Sequence, residues 1–264
     1  LQQSTDKLIT IGQYQKMDIM LILDNDYVPY ALPFICSLIC NNTWARYITF
    51  HIITDNLSDI KKGILQHLIS NYNCKCAFYY VDVSIFDGLK VSAQYPALLY
   101  AKLIPHLILP NDLERVLYFD CDMINLSSLK DLYSIDLNGY SMAACYDVPA
   151  YQKHVAEPDR KGLDYEYVNS GTVLYNLADL RQSGVTMNTY LNWLNNNIQR
   201  LYEEQLLNNI FKDKILHLEP YKYNFHIGSR TLYSKLLNGK IADGKVPYII
   251  HYMPFKNDSP IIKP

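Results

Sequence analysis

A chain of 264 residues with 49% hydrophobic, 13% aromatic and 19% charged residues can bury a full core, which excludes a disordered or fibrous polypeptide. Its formal net charge of −2 provides no global basic field, which argues against a nucleic-acid partner. The longest apolar stretch, Val28 to Cys40, falls short of the roughly 20 residues of a membrane span and is interrupted by Pro29 and Pro33.

The first ten residues, LQQSTDKLIT, lack the cationic and apolar regions of a signal peptide. Strand-like runs then follow at Asp18–Leu23 (DIMLIL), Ile48–Ile53 (ITFHII), Cys76–Val81 (CAFYYV) and Arg115–Phe119 (RVLYF). Ser141–Cys145 (SMAAC), Thr172–Tyr175 (TVLY) and Tyr248–Tyr252 (YIIHY) complete the predicted strands. Between them, Pro33–Cys40, Ser58–Asn71, Pro96–Ile108 and Met187–Leu201 read as helices, the last with Leu191, Leu194, Ile198 and Leu201 as a core stripe at helical spacing. This alternation predicts one α/β domain with a mixed, mostly parallel central sheet covered by helices. The polar segment Asp147–Tyr167 carries Pro149, Pro158 and Gly162 and predicts a long loop of the kind that covers a site.

The six cysteines form no disulfide framework. Cys36 and Cys40 lie one helical turn apart, Cys74 and Cys76 lack a second pair at zinc-site spacing, and Cys121 and Cys145 fall in apolar strand segments. Reduced thiols and a cytoplasmic setting are the expectation. Tyrosine outnumbers phenylalanine by 24 to 8, which suits either a sugar-binding cleft, since Tyr joins an apolar body to a hydrogen-bonding tip, or ordinary core and surface packing with a composition bias. From Pro220 to Pro264, seven Lys/Arg stand against Asp243 and Asp258, an excess suited to nucleotide phosphates or to peripheral contact with an anionic membrane.

The strongest local signal is RVLYFDCDMI, residues 115 to 124, where an apolar strand runs straight into Asp-x-Asp. On extended backbone Asp120 and Asp122 share one side, roughly 6.5–7 Å apart at Cα, and Cys121 takes the other. Two carboxylates so placed at the carboxyl end of a strand can address one hydrated cation and its ligand.

This segment resembles the metal-binding Asp-x-Asp of glycosyltransferase family 8, which includes bacterial lipooligosaccharide galactosyl- and glucosyltransferases and glycogenin. Other segments are similar to that family in the same order. They are DIMLILDNDY from Asp18, YPALLYAKL from Tyr95, EYVNSGTVLYNL from Glu166, EEQLLNNIF from Glu203 and IHYMPF from Ile250. Together they reach from residue 18 to about 256, nearly the whole chain.

The resemblance implies a single GT-A-type domain. After a lead segment (1–17), a Rossmann-like nucleotide-binding half (18–125) precedes a donor-sugar and acceptor half (126–264). It further implies a retaining transferase that moves glucose or galactose from a UDP-sugar to a glycan or glycoprotein acceptor. By position, Asp24 meets the uracil edge, Asp26 and Tyr27 lie near ribose or base, and Lys102 replaces an Arg that contacts the donor. Asp120, Asp122 and His251 hold a divalent metal, Mn²⁺ before Mg²⁺, and Cys121 belongs to the same nucleotide-binding motif. Asp147 and Asn169 line the donor-sugar pocket. Glu203 and Glu204 replace the Asp-Gln pair beneath the sugar ring as candidate catalytic groups, or else form an ordinary solvated helix start. Lys256 is placed to reach a phosphate, one position early, and Pro254 stands where the family has Gly.

Other classes fit less well. A haloacid-dehalogenase phosphatase needs its Asp-x-Asp nearer the N-terminus and a later acidic pair, and a Rossmann dehydrogenase needs G-x-G-x-x-G after the first strand. A non-catalytic nucleotide-sugar-binding module of the same fold is the remaining alternative.

Overall fold

The computed structural model describes residues 16–92, 95–147, 166–197, 202–227 and 246–252. Seven strands build the main sheet: β1 Lys16–Ile22, β2 Tyr47–Thr54, β3 Lys75–Tyr80, β4 Arg115–Phe119, β6 Met142–Tyr146, β7 Val168–Asn176 and β8 Ile215–Leu218. A smaller sheet consists of β5 Met123–Asn125, β9 Phe225–His226 and β10 Ile249–His251.

The large sheet has the order β3-β2-β1-β4-β7-β6-β8. Neighbours pair in parallel from β3 through β4 and again between β6 and β8, whereas β7 runs antiparallel to both β4 and β6. That reversal positions the site, because the first residues of β7 come to lie beside the carboxyl end of β4. All seven predicted strands are present within a residue or a few at their ends.

The sheet is buried on both faces, so β1 and β4 read as continuous apolar runs rather than alternations. One face packs Ile19, Leu21, Leu117 and Phe119 against Phe34, Ile35 and Leu38. The other packs Met20, Ile22, Val116 and Tyr118 against Tyr100, Leu103 and Tyr175.

Helix α1, Val28–Asn41, begins earlier than the predicted Pro33, because Pro29 sits in its first turn, where a missing N–H costs nothing. Pro33 lies inside the helix. Helix α2, Asp59–Asn71, is capped by Ser58, whose side chain accepts from the Lys61 N–H, in agreement with the predicted span.

The predicted helix Pro96–Ile108 is corrected. A 3₁₀ helix, Ala97–Leu103, ends at Ile104, and a single α turn, α3 (Pro105–Ile108), follows. Pro105 causes the break by disfavouring helical geometry at Ile104, whose φ and ψ are −128° and 36°.

Four further helices matter for the site or its frame: α4 (Lys130–Tyr133), α5 (Leu177–Ser183), α6 (Met187–Asn197) and α7 (Glu203–Ile210). Of the predicted helix Met187–Leu201, the part beyond Asn197 lies outside the described residues, as does most of the predicted loop Asp147–Tyr167. One turn, α8 (Pro220–Tyr223), leads into β9. Among the described residues no helix is long and apolar enough to cross a membrane.

Candidate active site

The site forms where β4 ends. The Asp120 N–H donates to the Gly171 carbonyl at 2.9 Å, which clamps the Asp-x-Asp turn to the start of β7. The Tyr252 N–H donates to the Asp122 carbonyl at 2.8 Å, and β10 pairs antiparallel with β5 so that His251 faces Met123. These two clamps bring one ligand atom each from Asp120, Asp122 and His251 to within 4.8 Å of one another. His251 Nε2 lies 3.3 Å from Asp122 Oδ1 and 3.8 Å from Asp120 Oδ2.

The donor set fits a divalent metal: two carboxylates and one imidazole suit Mn²⁺, Mg²⁺ being the harder alternative. The cradle fits too. A Cβ at Gly171 would meet Asn169 Oδ1 and His251 Cε1 at 2.8 Å and Asp120 Oδ2 at 3.0 Å, so only glycine leaves this arrangement intact.

Behind the carboxylates lies a buried ionic cluster. Lys102, on the 3₁₀ helix, places Nζ 2.9 Å from Asp120 Oδ1 and 3.8 Å from Glu203 Oε1, and donates to Ser170 Oγ at 3.3 Å. Burial alone would lower the pKa of the ammonium, but Asp120 and Glu203 outweigh it and raise it. Burial pushes the carboxyl of Asp120 up, yet Lys102, His251 and the hydroxyl of Tyr118, which donates to Oδ1, hold it below the ordinary value.

Glu203 and Glu204 open helix α7. They are not the solvated helix start that was one reading of the sequence: Glu203 is 3% exposed, and its Oε2 has no hydrogen-bond partner among the described residues. Burial raises its pKa against the pull of Lys102.

Glu204 is held by four donors. Asn169 Nδ2, the Ser170 N–H and Ser170 Oγ reach Oε2 at 3.0, 2.9 and 3.3 Å, and the Tyr167 hydroxyl reaches Oε1 at 3.0 Å. Burial, followed by the charge of Asp147, still pushes its pKa up to about 8.

The remaining predicted residues are placed as follows. Asn169 lies at the junction of the two acidic groups: its Oδ1 accepts from the Gly171 N–H at 2.9 Å and from Asn224 Nδ2 at 2.7 Å. Asp147 follows β6, its N–H donating to the Tyr167 carbonyl at 2.9 Å. Asp24 Oδ1 caps the turn into α1 by accepting from the N–H groups of Asp26 and Tyr27 at 2.9 and 3.0 Å. Asp26 is exposed, and Tyr27 is 40% exposed. Burial and then the charges of Asp122 and Asp120 raise the phenol pKa of Tyr27, which marks it as a neighbour of the carboxylates.

Cys121 is not brought to the site. Its side chain is buried in the core, Sγ 3.6 Å from the Ile22 carbonyl, on the bend that follows β4. Lys256 lies outside the described residues.

The structure adds residues that the sequence reading did not single out: Tyr118, Ser170, Gly171, Asn224 and His226. Tyr118 had a signal, since it shares the period-2 face of Asp120 and Asp122. Asn224 had none; its Oδ1 lies 2.8 Å from His251 Nδ1. The ring of His226 packs edge-on against His251 at 4.7 Å between centroids. Burial, then His251, brings its pKa down to about 3, so it stands as a neutral second imidazole.

Comparison with known proteins places this arrangement. A candidate glycosyltransferase of Haemophilus influenzae is 32% identical over 90% of this chain and 71% of its own length. GlyF, a glycosyltransferase of Streptococcus pneumoniae, is 26% identical over 90% of this chain but 56% of its own. A lipopolysaccharide 1,2-glucosyltransferase of Escherichia coli is 26% identical over 67% of this chain. The chain thus spans about half the length of the latter two relatives.

Among solved structures, the galactosyltransferase LgtC, in complex with donor and acceptor sugar analogues, superposes with a TM-score of 0.75 at 20% identity, covering 89% of this chain and 87% of LgtC. The fold is therefore that of GT-A-type glycosyltransferases. The family model described as "Glycosyl transferase family 8" matches residues 18–257, and the chain belongs to that family.

Proposed function

We propose that this glycosyltransferase moves glucose or galactose from a UDP-sugar to a glycan or glycoprotein acceptor, with retention of configuration and with Mn²⁺ as its metal. The observation that carries the reading is the convergence of Asp120, Asp122 and His251 at the carboxyl end of β4 in a family 8 chain. Two similar proteins support a hexose donor: a lipopolysaccharide 1,2-glucosyltransferase and the galactosyltransferase LgtC.

In this reading residues 18–125 form the nucleotide-binding half and 126–264 the donor-sugar and acceptor half of one domain. Asp120, Asp122 and His251 hold the metal, which when bound neutralises charge on the departing diphosphate. Asp24, Asp26 and Tyr27 meet the uridine, and Lys256 the diphosphate.

The other residues act on the sugar. Glu203 Oε2, buried and without a hydrogen-bond partner among the described residues, accepts from a donor hydroxyl and so tells one epimer from another. Asn169 and Asp147 line the same pocket. Glu204, fixed by four donors among the described residues, presents a positioned carboxyl beneath the ring, which in its ionised form meets the positive charge that develops as the leaving group departs.

The test is UDP release from purified protein offered UDP-glucose and UDP-galactose separately, each with Mn²⁺ and with EDTA, alongside Asp122→Ala. Metal-dependent release from one donor, abolished in D122A, is expected. Tight metal-dependent UDP binding without release under any acceptor would favour a binding module, and absence of UDP binding would sink the reading.

A further inference from the structure

Asn224 belongs to none of the sequence motifs, yet its side chain decides which nitrogen of His251 faces the carboxylates. The orientation of every group between Glu204 and His251 follows from one donor that cannot be reassigned. The backbone N–H of Gly171 lies 2.9 Å from a side-chain atom of Asn169, which must therefore be Oδ1. Nδ2 of Asn169 is thereby turned to Glu204 Oε2, 3.0 Å away.

The Asn224 atom 2.7 Å from Asn169 Oδ1 has to donate, so it is Nδ2. Asn224 Oδ1 is then left facing His251 Nδ1 at 2.8 Å, a contact that requires a hydrogen on the ring nitrogen. In the neutral ring that a metal ligand must be, this is the single N–H, so Nε2 turns a lone pair toward Asp122 Oδ1 and Asp120 Oδ2. Three electron-rich atoms so gathered offer a divalent cation a ready set of ligands.

We propose that Asn169 and Asn224 form an amide relay that locks His251 in its Nδ1–H tautomer, which makes Asn224 a positioning residue of the divalent-cation site and ties that site to Glu204. The inference rests on the reading of Asp120, Asp122 and His251 as metal ligands.

Both ends of the relay are anchored. Asn224 is 1% exposed, and the preceding residue is fastened to β7 by a bond from Thr172 Oγ1 to the Tyr223 carbonyl at 3.0 Å. On the other side β9 pairs with β10, placing His226 opposite His251. Neither amide can turn over without breaking the Gly171 contact or setting two acceptors against each other. An outer partner of this kind sets ligand orientation and basicity, and its loss costs about 10- to 100-fold in metal affinity.

The experiment uses the full chain and Mn²⁺ alone. Affinity is read by calorimetry, and the metal-free His251 tautomer by ¹⁵N NMR, in the wild type, Asn224→Leu, Asn224→Asp and His251→Ala. Asn224→Leu is expected to weaken Mn²⁺ binding about 10- to 100-fold and to release His251 into a mixture of tautomers. Asn224→Asp keeps an acceptor opposite Nδ1 but sets a second acceptor against Asn169 Oδ1, so it is expected to retain the tautomer with an affinity between those of the wild type and Asn224→Leu.

Undiminished Mn²⁺ affinity in Asn224→Leu, or a wild-type hydrogen on Nε2, overturns the relay. Should Asn224→Leu fail to fold, loss of the tautomer in Asn224→Asp overturns it equally. Failure of the underlying reading looks different: His251→Ala then binds Mn²⁺ as the wild type does, while the tautomer measurement still judges the relay.

Discussion

The ammonium of Lys102 rests 2.9 Å from the carboxylate of Asp120, so one proposed metal ligand already has a buried countercharge beneath it. The same ammonium serves Glu203 from 3.8 Å. Lys102→Met would strand one fully buried and one partly exposed carboxylate. It is expected to destabilise the protein by about 3 kcal/mol, the lower end of what breaking a buried pair costs. Mn²⁺ should restore part of the loss by neutralising Asp120. Urea unfolding with and without Mn²⁺ checks both parts, and an unchanged midpoint would refute the pairing.

Gly171→Ala tests how tightly the site is closed. Its new methyl would meet Asn169 and His251 at 2.8 Å and Asp120 at 3.0 Å. Overpacking of this kind costs about 1–3 kcal/mol. The variant should fold with a lowered melting temperature and lose Mn²⁺-dependent UDP binding. Retention of full binding would mean that the three groups yield more readily than their contacts imply.

Glu204 gives the protein a pH signature. Its ordinary value is 4.5 and its folded value about 8, so between these the folded chain keeps a proton that the unfolded chain has released. Stability is therefore fully present below 4.5, falls as pH rises toward 8, and levels off above it. Glu204→Gln removes this dependence while keeping an oxygen opposite Ser170. Chemical unfolding at about pH 5 and about pH 8 should show a smaller difference for the variant than for the wild type. Equal slopes would assign the effect elsewhere.

Tyr118→Phe removes the hydroxyl that donates to Asp120 Oδ1 from within the core. A hydrogen bond to a charged group contributes about 1.5–3 kcal/mol, and a loss in that range is expected. Because Tyr118 also underlies a metal ligand, Mn²⁺ titration of the same variant should show weaker binding. A stability unchanged from wild type would mean that solvent replaces the hydroxyl.

The central strands and the paired carboxylates were legible because both rest on strict local rules. Apolar runs bounded by polar turns mark buried parallel strands, and strand alternation alone separates Asp120 and Asp122 from Cys121. The same alternation carried a signal for Tyr118 that the sequence reading did not use. Ala97–Leu103 and α3 were legible as helical but not as two pieces, since the break depends on the local geometry before Pro105.

Strands β5 and β9 have three and two residues, too short to show a period, whereas β10, also three residues, was legible only as part of the longer run Tyr248–Tyr252. Asn224 was illegible for a different reason. Its role depends on a partner 55 residues away at Asn169 and another 27 away at His251. No local pattern encodes such a meeting, and the reversal of β7 makes it.

The three-residue strand that delivers His251 has a kinetic consequence. Asp120 is clamped to β7 within the main sheet, but Asp122 is clamped by Tyr252, and both it and the imidazole partner wait for a segment about 130 residues later in the chain, across a closure whose entropic cost grows only logarithmically with length. The central sheet can therefore be complete while Ile249–His251 still detaches and returns, a local opening distinct from global unfolding. A bound cation would act as a latch on that opening. In hydrogen exchange, Mn²⁺ should slow the amides of β10 and β5 and leave those of β1 and β2 at their own rate.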